Sequence, residues 1–307
     1  MTRLTTFRRE GLVFDVRDGG PLDGETVVLL HGFPQDATAW ELVAPLLHEA
    51  GLRTLAPDQR GYSPGARPSG RDAYRLREIV ADTLALLDAG GVERAHLVGH
   101  DWGGAAVWAA VRRHPQRFAS AVVVSTPHPA ALAYATTHGA QGLRSSYMAL
   151  LQLPVVPEVV LPAVFEQGLR ATGLPADRAA HYARRMREPG ALTGALGWYR
   201  ALGVGIARVL PRVLDPRPHP RPPEARDDGG PSSGSPSQAP GRQQWRGPTT
   251  YLWGRHDMAL GRTAAERTGR YVRGDYRFVE LDAGHWLPET RPVEVASAVL
   301  ERAGRTR

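Results

Sequence analysis

A glycine-flanked turn between an apolar segment and an amphipathic one constrains this chain more than any other feature. It reads Gly99-His100-Asp101-Trp102-Gly103 and is followed by Gly104. The apolar residues 95–98 before it predict a buried strand, and residues 105–113 after it predict a helix. This is the strand–turn–helix pattern G-x-nucleophile-x-G, in which a sharp turn holds the central side chain clear of the sheet. A helix cap would not need both glycines, so we interpret Asp101 as a nucleophile rather than as a capping residue.

Short apolar runs alternate with helical patterns through residues 1–129, which predicts the first part of an α/β core with a mostly parallel sheet. The run Gly11–Arg17 is interpreted as an edge strand. Residues 130–214 lose the strand pattern and predict an inserted helical cap. Residues 215–247 are rich in Pro, Gly and Ser, and predict a mobile linker or, alternatively, a segment for a proline-binding partner. Residues 248–307 return to strand and helix patterns and complete the core.

An aspartate at the turn changes the chemistry that a nucleophile can perform. A carboxylate is already ionised at neutral pH, whereas a serine must first lose a proton. Attack by Asp101 on a saturated carbon would displace a leaving group and form an alkyl ester on the protein. Water must then hydrolyse that ester, and this second step needs a general base and an oxyanion site.

The base and the acid that orients it are expected late in the chain. His285 lies in Ala283-Gly284-His285-Trp286, after the last predicted strand, where the chain order nucleophile–acid–histidine places the base. The segment Ser125–Pro129 holds no carboxylate, so Asp257, after the strand 249–253, is the acid by elimination. Asp282 is the competing acid, but it lies three residues before His285 on the same strand end and is expected to point elsewhere.

The turn His31-Gly32-Phe33-Pro34 follows the first central strand, where a second oxyanion donor is expected. We predict that the backbone N–H groups of Phe33 and Trp102 form the oxyanion hole. His31 is expected to shape this loop rather than to react. The predicted lining of the substrate pocket is His31, Pro34, Trp198 and Trp286.

These motifs together resemble the epoxide hydrolases of the α/β-hydrolase fold. The resemblance also includes the segments Asp58–Tyr62 and Trp253–Asp257, and covers most of the chain outside the first ten residues and the segment 215–247. It implies an inserted cap domain over the sheet. The loop 63–68, Ser-Pro-Gly-Ala-Arg-Pro, departs from the commoner glycine–x–serine continuation, and a change of cap docking or of access is expected there.

Two cap segments resemble the tyrosine motifs of that family. They are Ser146–Pro154, with Tyr147, and Gly197–Arg200, with Tyr199. Opening an epoxide creates an alkoxide, and two phenols can polarise the ring oxygen and supply its proton. Aromatic packing in a helical cap is the simpler interpretation of each tyrosine alone.

Composition excludes several classes. The chain has no cysteine, so disulfides, thiolate nucleophiles and cysteine-ligated metals are excluded. A net charge of +7 suggests nucleic-acid binding, but the basic residues are all arginines scattered among acids, and no nucleic-acid partner is predicted. No apolar run is long enough to span a membrane, and no apolar stretch follows the charged start, so we expect a cytoplasmic protein.

The sequence therefore predicts hydrolysis of a small apolar epoxide to a vicinal diol, without a metal or organic cofactor. The candidate catalytic set is Asp101, His285, Asp257, Tyr147 and Tyr199. Haloalkane dehalogenation by the same Asp–His–Asp machinery is the alternative reaction, since Trp102 fits one of its two halide donors whereas Phe33 stands where many dehalogenases have Asn. A ligand-binding protein on a hydrolase scaffold is the alternative from another class.

Overall fold

The computed structural model describes residues 2–214 and 245–305. Its centre is an eight-stranded sheet with the order β1-β2-β4-β3-β5-β6-β7-β8. The strands are β1 Thr6–Arg9, β2 Leu12–Gly19, β3 Thr26–Leu30, β4 Arg53–Pro57, β5 Ala95–His100, β6 Phe118–Val124, β7 Thr249–Gly254 and β8 Tyr276–Leu281. Strand β2 is antiparallel to β1 and β4, and the pairs from β4 to β8 are parallel. The predicted α/β fold with a mostly parallel sheet is confirmed.

The prediction that Gly11–Arg17 forms an edge strand is wrong. Strand β1 pairs outside β2, with Phe7 opposite Phe14 and the two rings stacked at 4.5 Å. Residues 6–9 read Thr-Phe-Arg-Arg, which is too short and too charged to predict a strand alone. Pairing with β2 and burial of Phe7 stabilise this strand, although the local sequence pattern does not predict it.

The helices are α1 Ala44–Glu49, α2 Leu76–Ala89, α3 Trp102–Arg113, α4 Pro129–His138, α5 Gln141–Arg144, α6 Tyr147–Leu150, α7 Val156–Ala171, α8 Ala176–Met186, α9 Ala191–Leu214, α10 Arg262–Arg267, α11 Leu287–Thr290 and α12 Pro292–Arg302. Helices α1 and α12 pack together and share an apolar core with one face of the sheet, while α2 and α3 pack on the other. None of the helices in the described ranges is long and apolar enough to cross a lipid bilayer.

Helices α4 to α9 lie between β6 and β7 in the chain, over the region for which the cap was predicted. Most of the segment 215–247, namely residues 215–244, lies outside the described residues. The domain boundaries and the linker therefore stay predictions.

The loop 63–68 contacts the cap. A short 3₁₀ turn covers Pro64–Ala66, and the Arg67 side chain follows it. Arg67 donates to the carbonyl oxygens of Tyr62 and Pro189, at 2.9 and 2.7 Å, and to the Glu188 carboxylate at 3.0 Å. The arginine of this unusual loop thus links the core to the chain segment between α8 and α9.

Candidate active site

Asp101 lies at the turn between β5 and α3, in a backbone conformation that side chains rarely adopt. Its φ is 51° and its ψ is −118°. A Cβ at Gly103 would lie 2.7 Å from the carbonyl oxygen of His31, and one at Gly99 would lie 2.7 Å from the Val107 side chain. Residues without a Cβ are therefore needed on both sides of the strained aspartate.

Parallel pairing brings the candidate residues to one edge of the sheet. Leu30 of β3 pairs with Gly99 of β5, and Gly254 of β7 pairs with Leu281 of β8. Since parallel strands end at the same edge, the segments after β3, β5, β7 and β8 meet there. These four segments carry the predicted oxyanion loop, nucleophile, acid and base.

The structure brings Asp101, His285 and Asp257 together. Nε2 of His285 lies 3.6 Å from Oδ2 of Asp101, and its Nδ1 lies 2.7 Å from Oδ2 of Asp257. The other Asp257 oxygen accepts the backbone N–H groups of Ala259 and Leu260 at 2.8 and 2.9 Å. Asp257 is buried, so these bonds hold its carboxylate in one orientation toward the imidazole.

Asp282, the competing acid, points away from His285. Its side chain is 68% exposed and pairs with Arg255 and His256 at the surface. The alternation of side chains at a strand end sends it to the opposite side from the imidazole.

The three groups shift one another's pKa values. Burial opposes the charged form of His285, but the Asp257 and Asp101 carboxylates outweigh it and raise the pKa of His285 to about 10. Burial would also raise the pKa of Asp101, yet the hydrogen bond and charge of His285 lower it below its ordinary value. The resting site thus holds an ionised Asp101 beside a protonated His285.

The predicted oxyanion loop contacts the nucleophile directly. The backbone N–H of Phe33 donates to Oδ1 of Asp101 at 2.9 Å. Gly32 is so close that a Cβ there would lie 2.6 Å from the same oxygen. Trp102 is the first residue of α3, so its own N–H has no acceptor within the helix. One Asp101 oxygen is thereby held, and the other faces His285.

Tyr199 and Tyr147 come from the cap to the region over Asp101. Tyr199 is buried, with its ring edge-on to Phe33 at 5.1 Å and to Trp102 at 5.0 Å. The ring of Tyr147 lies 6.4 Å from that of Tyr199 and is 42% exposed. Burial, together with the charge of Asp101, raises the pKa of both phenols, so both keep their protons at neutral pH.

Three of the four predicted pocket residues, His31, Trp198 and Trp286, make hydrogen bonds to other parts of the protein. His31 is fully buried, with Nε2 accepting the Gln59 N–H at 3.1 Å and its ring against Tyr62. Pro34 follows a cis peptide bond. The indole of Trp198 donates to the Arg60 carbonyl at 2.7 Å, and that of Trp286 donates to the Thr172 hydroxyl at 2.9 Å. Their predicted role in lining the pocket stays a prediction.

A polar layer behind the triad was missed by the sequence-based interpretation. Ser125 and His100 both contact the His285 carbonyl, at 2.8 and 2.9 Å, and Thr126 donates to the Asp101 carbonyl at 2.6 Å. Gln35 and Glu289 continue this layer. In the sequence, these residues are visible only as polar residues beside the motifs. Polar residues are common in loops, so their position alone does not predict a role at the site.

Known proteins are similar to this chain over nearly its whole length. The family described as alpha/beta hydrolase fold matches residues 25–150. Epoxide hydrolase A of Mycobacterium tuberculosis is 32% identical over 334 aligned positions, which cover 95% of this chain and 94% of that protein. The chain belongs to the epoxide hydrolase family of the α/β-hydrolase superfamily.

Other members of the superfamily agree with this assignment. The AB hydrolase superfamily protein YfhM of Bacillus subtilis is 30% identical and covers 95% of this α/β-hydrolase and 94% of its own length. The crystal structure of epoxide hydrolase A from Mycobacterium thermoresistibile superposes with a TM-score of 0.76 at 26% identity, covering 97% of this chain and 96% of that one. The resemblance predicted from the motifs is confirmed.

Metal-binding side chains are not clustered in the described part of this α/β-hydrolase. No group of three or more His, Cys, Asp or Glu residues within those ranges is arranged to hold a metal ion.

Proposed function

We propose that the protein hydrolyses an epoxide to a vicinal diol through an ester on Asp101. The observation that carries this proposal is geometric: the Phe33 N–H holds one oxygen of Asp101, and the Tyr199 ring, with Tyr147 beside it, packs on Phe33 and Trp102 next to that carboxylate. The curated relative from M. tuberculosis carries the name epoxide hydrolase. A small apolar epoxide is the substrate class that fits this combination of groups.

In the first step, Oδ2 of Asp101 attacks a ring carbon and the ring C–O bond breaks. Tyr147 and Tyr199 donate hydrogen bonds to the leaving oxygen, and one of them transfers its proton to the alkoxide. Asp101 becomes a neutral ester. Loss of its negative charge removes one of the interactions that raise the pKa of His285. The imidazolium then gives up its proton, which restores the phenol that protonated the alkoxide, and His285 becomes a base.

In the second step, His285 takes a proton from water, and the hydroxide adds to the ester carbonyl of Asp101. The oxyanion is stabilised by the N–H groups of Phe33 and Trp102. The acyl C–O bond then breaks, and the departing diol oxygen takes the proton from His285. The Asp101 carboxylic acid formed in this way passes its proton to His285, which restores the starting site. Asp257 keeps the imidazole oriented and stabilises its charged form throughout.

A single turnover in ¹⁸O-labelled water, with the protein in excess over styrene oxide, tests this route. The diol of this single turnover should be unlabelled because its new oxygen comes from Asp101. When styrene oxide is instead in excess, label should enter the diol in the later turnovers. Label in the first diol would overturn the covalent route. Asp101→Ala is the blank.

The role of the two phenols is tested separately. Tyr147→Phe and Tyr199→Phe should each slow ester formation on styrene oxide without abolishing hydrolysis of the ester. Halide release from bromoalkanes, with epoxides unconverted and both variants fully active, would instead establish the dehalogenase reaction.

A further inference from the structure

The side chain of Glu289 is buried behind the triad and has no role in the steps above. It lies in the short helix α11, four residues after His285, and is 7% exposed. Its Oε1 accepts two hydrogen bonds, from the Tyr182 hydroxyl of α8 at 2.9 Å and from Nε2 of Gln35 at 2.7 Å. Its Oε2 is buried and has no hydrogen-bond partner within the described ranges.

Gln35 transmits this interaction to the oxyanion loop. Its Oε1 accepts the backbone N–H of Gly32 at 2.8 Å, which fixes the orientation of the amide because a backbone N–H can only donate. The amide nitrogen must then face Glu289. The Gly32 N–H lies one residue before the Phe33 N–H, which contacts Asp101, so Gln35 holds the loop that carries the oxyanion donor.

His100 transmits the interaction to the base. Its Nδ1 lies 2.8 Å from Oε1 of Gln35, and its Nε2 lies 2.9 Å from the carbonyl oxygen of His285. Burial, with the nearby charge of His285, lowers the pKa of His100 to about 3, so the ring is neutral and has one N–H for two acceptors. Which nitrogen carries the proton depends on how strongly Gln35 accepts, and hydrogen bonds in a chain polarise one another.

We propose that Glu289 is a positioning residue for hydrolysis of the Asp101 ester. Its carboxylate orients Gln35 and, through Gln35 and His100, the oxyanion loop and the His285 backbone. Tyr182 extends the same chain to the cap. This inference rests on the proposed function, because only the second step needs both the oxyanion donors and a correctly placed neutral His285.

The carboxyl group differs from an amide of the same shape in its hydrogen bonding. Its Oε1 accepts from both Tyr182 and Gln35, and burial raises the pKa of Glu289 above its ordinary value. An amide at position 289 would place an NH₂ group at the buried position of Oε2, where the carboxyl group has no hydrogen-bond partner within the described ranges. If the amide rotated, its NH₂ group would face the donors of Gln35 and Tyr182, and both hydrogen bonds would be lost. In either orientation Gln35 would hold the oxyanion loop less firmly.

The test is Glu289→Gln, with Glu294→Gln as the matched control. Glu294 lies in the next helix, with a side chain 42% exposed and a surface contact to Arg291. Intact-mass spectrometry of protein quenched during steady-state turnover of styrene oxide measures the fraction present as ester. We expect Glu289→Gln to lower kcat about tenfold and to raise the ester fraction severalfold. The rate of ester formation should change less than threefold, and Glu294→Gln should match the unaltered protein.

A second variant makes the result independent of any folding defect. Tyr182→Phe removes one hydrogen-bond donor from the Glu289 carboxyl group. It should raise the ester fraction, as Glu289→Gln does. Because both side chains act in one chain of hydrogen bonds, the double variant should show less than the product of the two single effects.

Three outcomes are distinguishable. An unchanged ester fraction, with kcat falling only in proportion to the folded fraction measured by thermal unfolding, would mean that Glu289 is merely structural. Unchanged kcat and ester fraction would mean that it has no role. His285→Gln is the positive control for ester accumulation, and its failure to accumulate any ester would overturn the proposed function together with this inference.

Discussion

Asp101 combines two properties that a carboxylate seldom has together: it is surrounded by protein, and its pKa is low. Burial alone would favour the protonated acid. The Phe33 N–H on one oxygen and the protonated His285 near the other compensate for that burial. Asp101 is therefore held in its ionised form without a general base, and the Phe33 N–H fixes one of its oxygens.

The fit between Gly32 and Asp101 leads to a first prediction. Gly32→Ala would place a methyl group against the Asp101 carboxylate, 2.6 Å from Oδ1, and should slow ester formation by about 100-fold or more. The measurement is single-turnover ester formation, followed by intact mass. Gly168→Ala is the control, because a Cβ there meets open space and alanine favours a helix. Equal rates for the two variants would contradict a tight fit.

The two candidate acids can be separated by matched amide substitutions. Asp257→Asn should slow hydrolysis of the ester by roughly 10³–10⁴-fold, because the His285 ring loses its oriented charged partner. Asp282→Asn should change it less than about twofold, since that side chain lies at the surface. Rapid-quench measurement of ester decay distinguishes them. Strong impairment by Asp282→Asn would reverse the assignment.

Helix α8 makes ionic contacts to the core along one face. Its basic side chains reach acids that follow the oxyanion loop and strand β4. The contacts are Arg178–Glu41, His181–Asp36 at 2.8 Å, Arg185–Asp36 at 3.2 Å and Arg185–Asp58 at 2.9 Å. Asp36 directly follows Gln35, so the cap and the oxyanion loop share an attachment point.

Arg185 is the centre of this attachment and yields a prediction. Arg185→Met would leave Asp36 and Asp58, both largely buried, facing each other without their shared cation. We expect the free energy of unfolding to fall by about 1–3 kcal/mol, below the full cost of an unpaired buried charge because Arg185 is partly exposed. Urea denaturation measures it.

Arg262→Met is the control for that substitution. Arg262 pairs with Glu280 at the surface, so its loss should lower the free energy of unfolding less than the loss of Arg185 does. A cost for Arg185→Met no larger than for the control would show that the α8 contacts add little to stability.

The whole molecule should respond to pH through the coupled charges of the triad. His285 has its pKa raised from an ordinary value of 6.5 to about 10. Its protonation therefore stabilises the folded state fully below pH 6.5, and this contribution is lost as the pH rises toward 10. Over that window the free energy of unfolding should fall by at most about 1.4 kcal/mol per pH unit from this one group.

His285→Gln isolates this contribution. The difference in the free energy of unfolding between the unaltered protein and this variant should shrink from pH 6.5 to pH 10, and urea denaturation at several pH values measures it. A difference that is constant across the window would mean that His285 is not held in its charged form by Asp101 and Asp257.

Local patterns in the sequence predicted the fold class, the elbow around Asp101 and the candidate roles of His285 and Asp257. Each depends on short-range physics: glycines that permit a strained turn, apolar periodicities that separate strands from helices, and a chain order set by parallel strands. Strand β1 escaped prediction because its four residues include only one apolar side chain, Phe7, and form a strand only when a partner is present.

Tertiary structure decided the contacts that bring distant segments together. Glu289 meets Gln35 across 254 positions of sequence and Tyr182 across 107, and no local pattern encodes either distance. Asp257 and Asp282 are the same residue type. Backbone N–H groups of its own loop orient Asp257 toward His285, whereas Asp282 pairs with Arg255 at the surface. The sequence alone thus determined which groups can react, whereas the packing of cap, loop and sheet decided how each is oriented and charged, because both depend on neighbours remote in the chain.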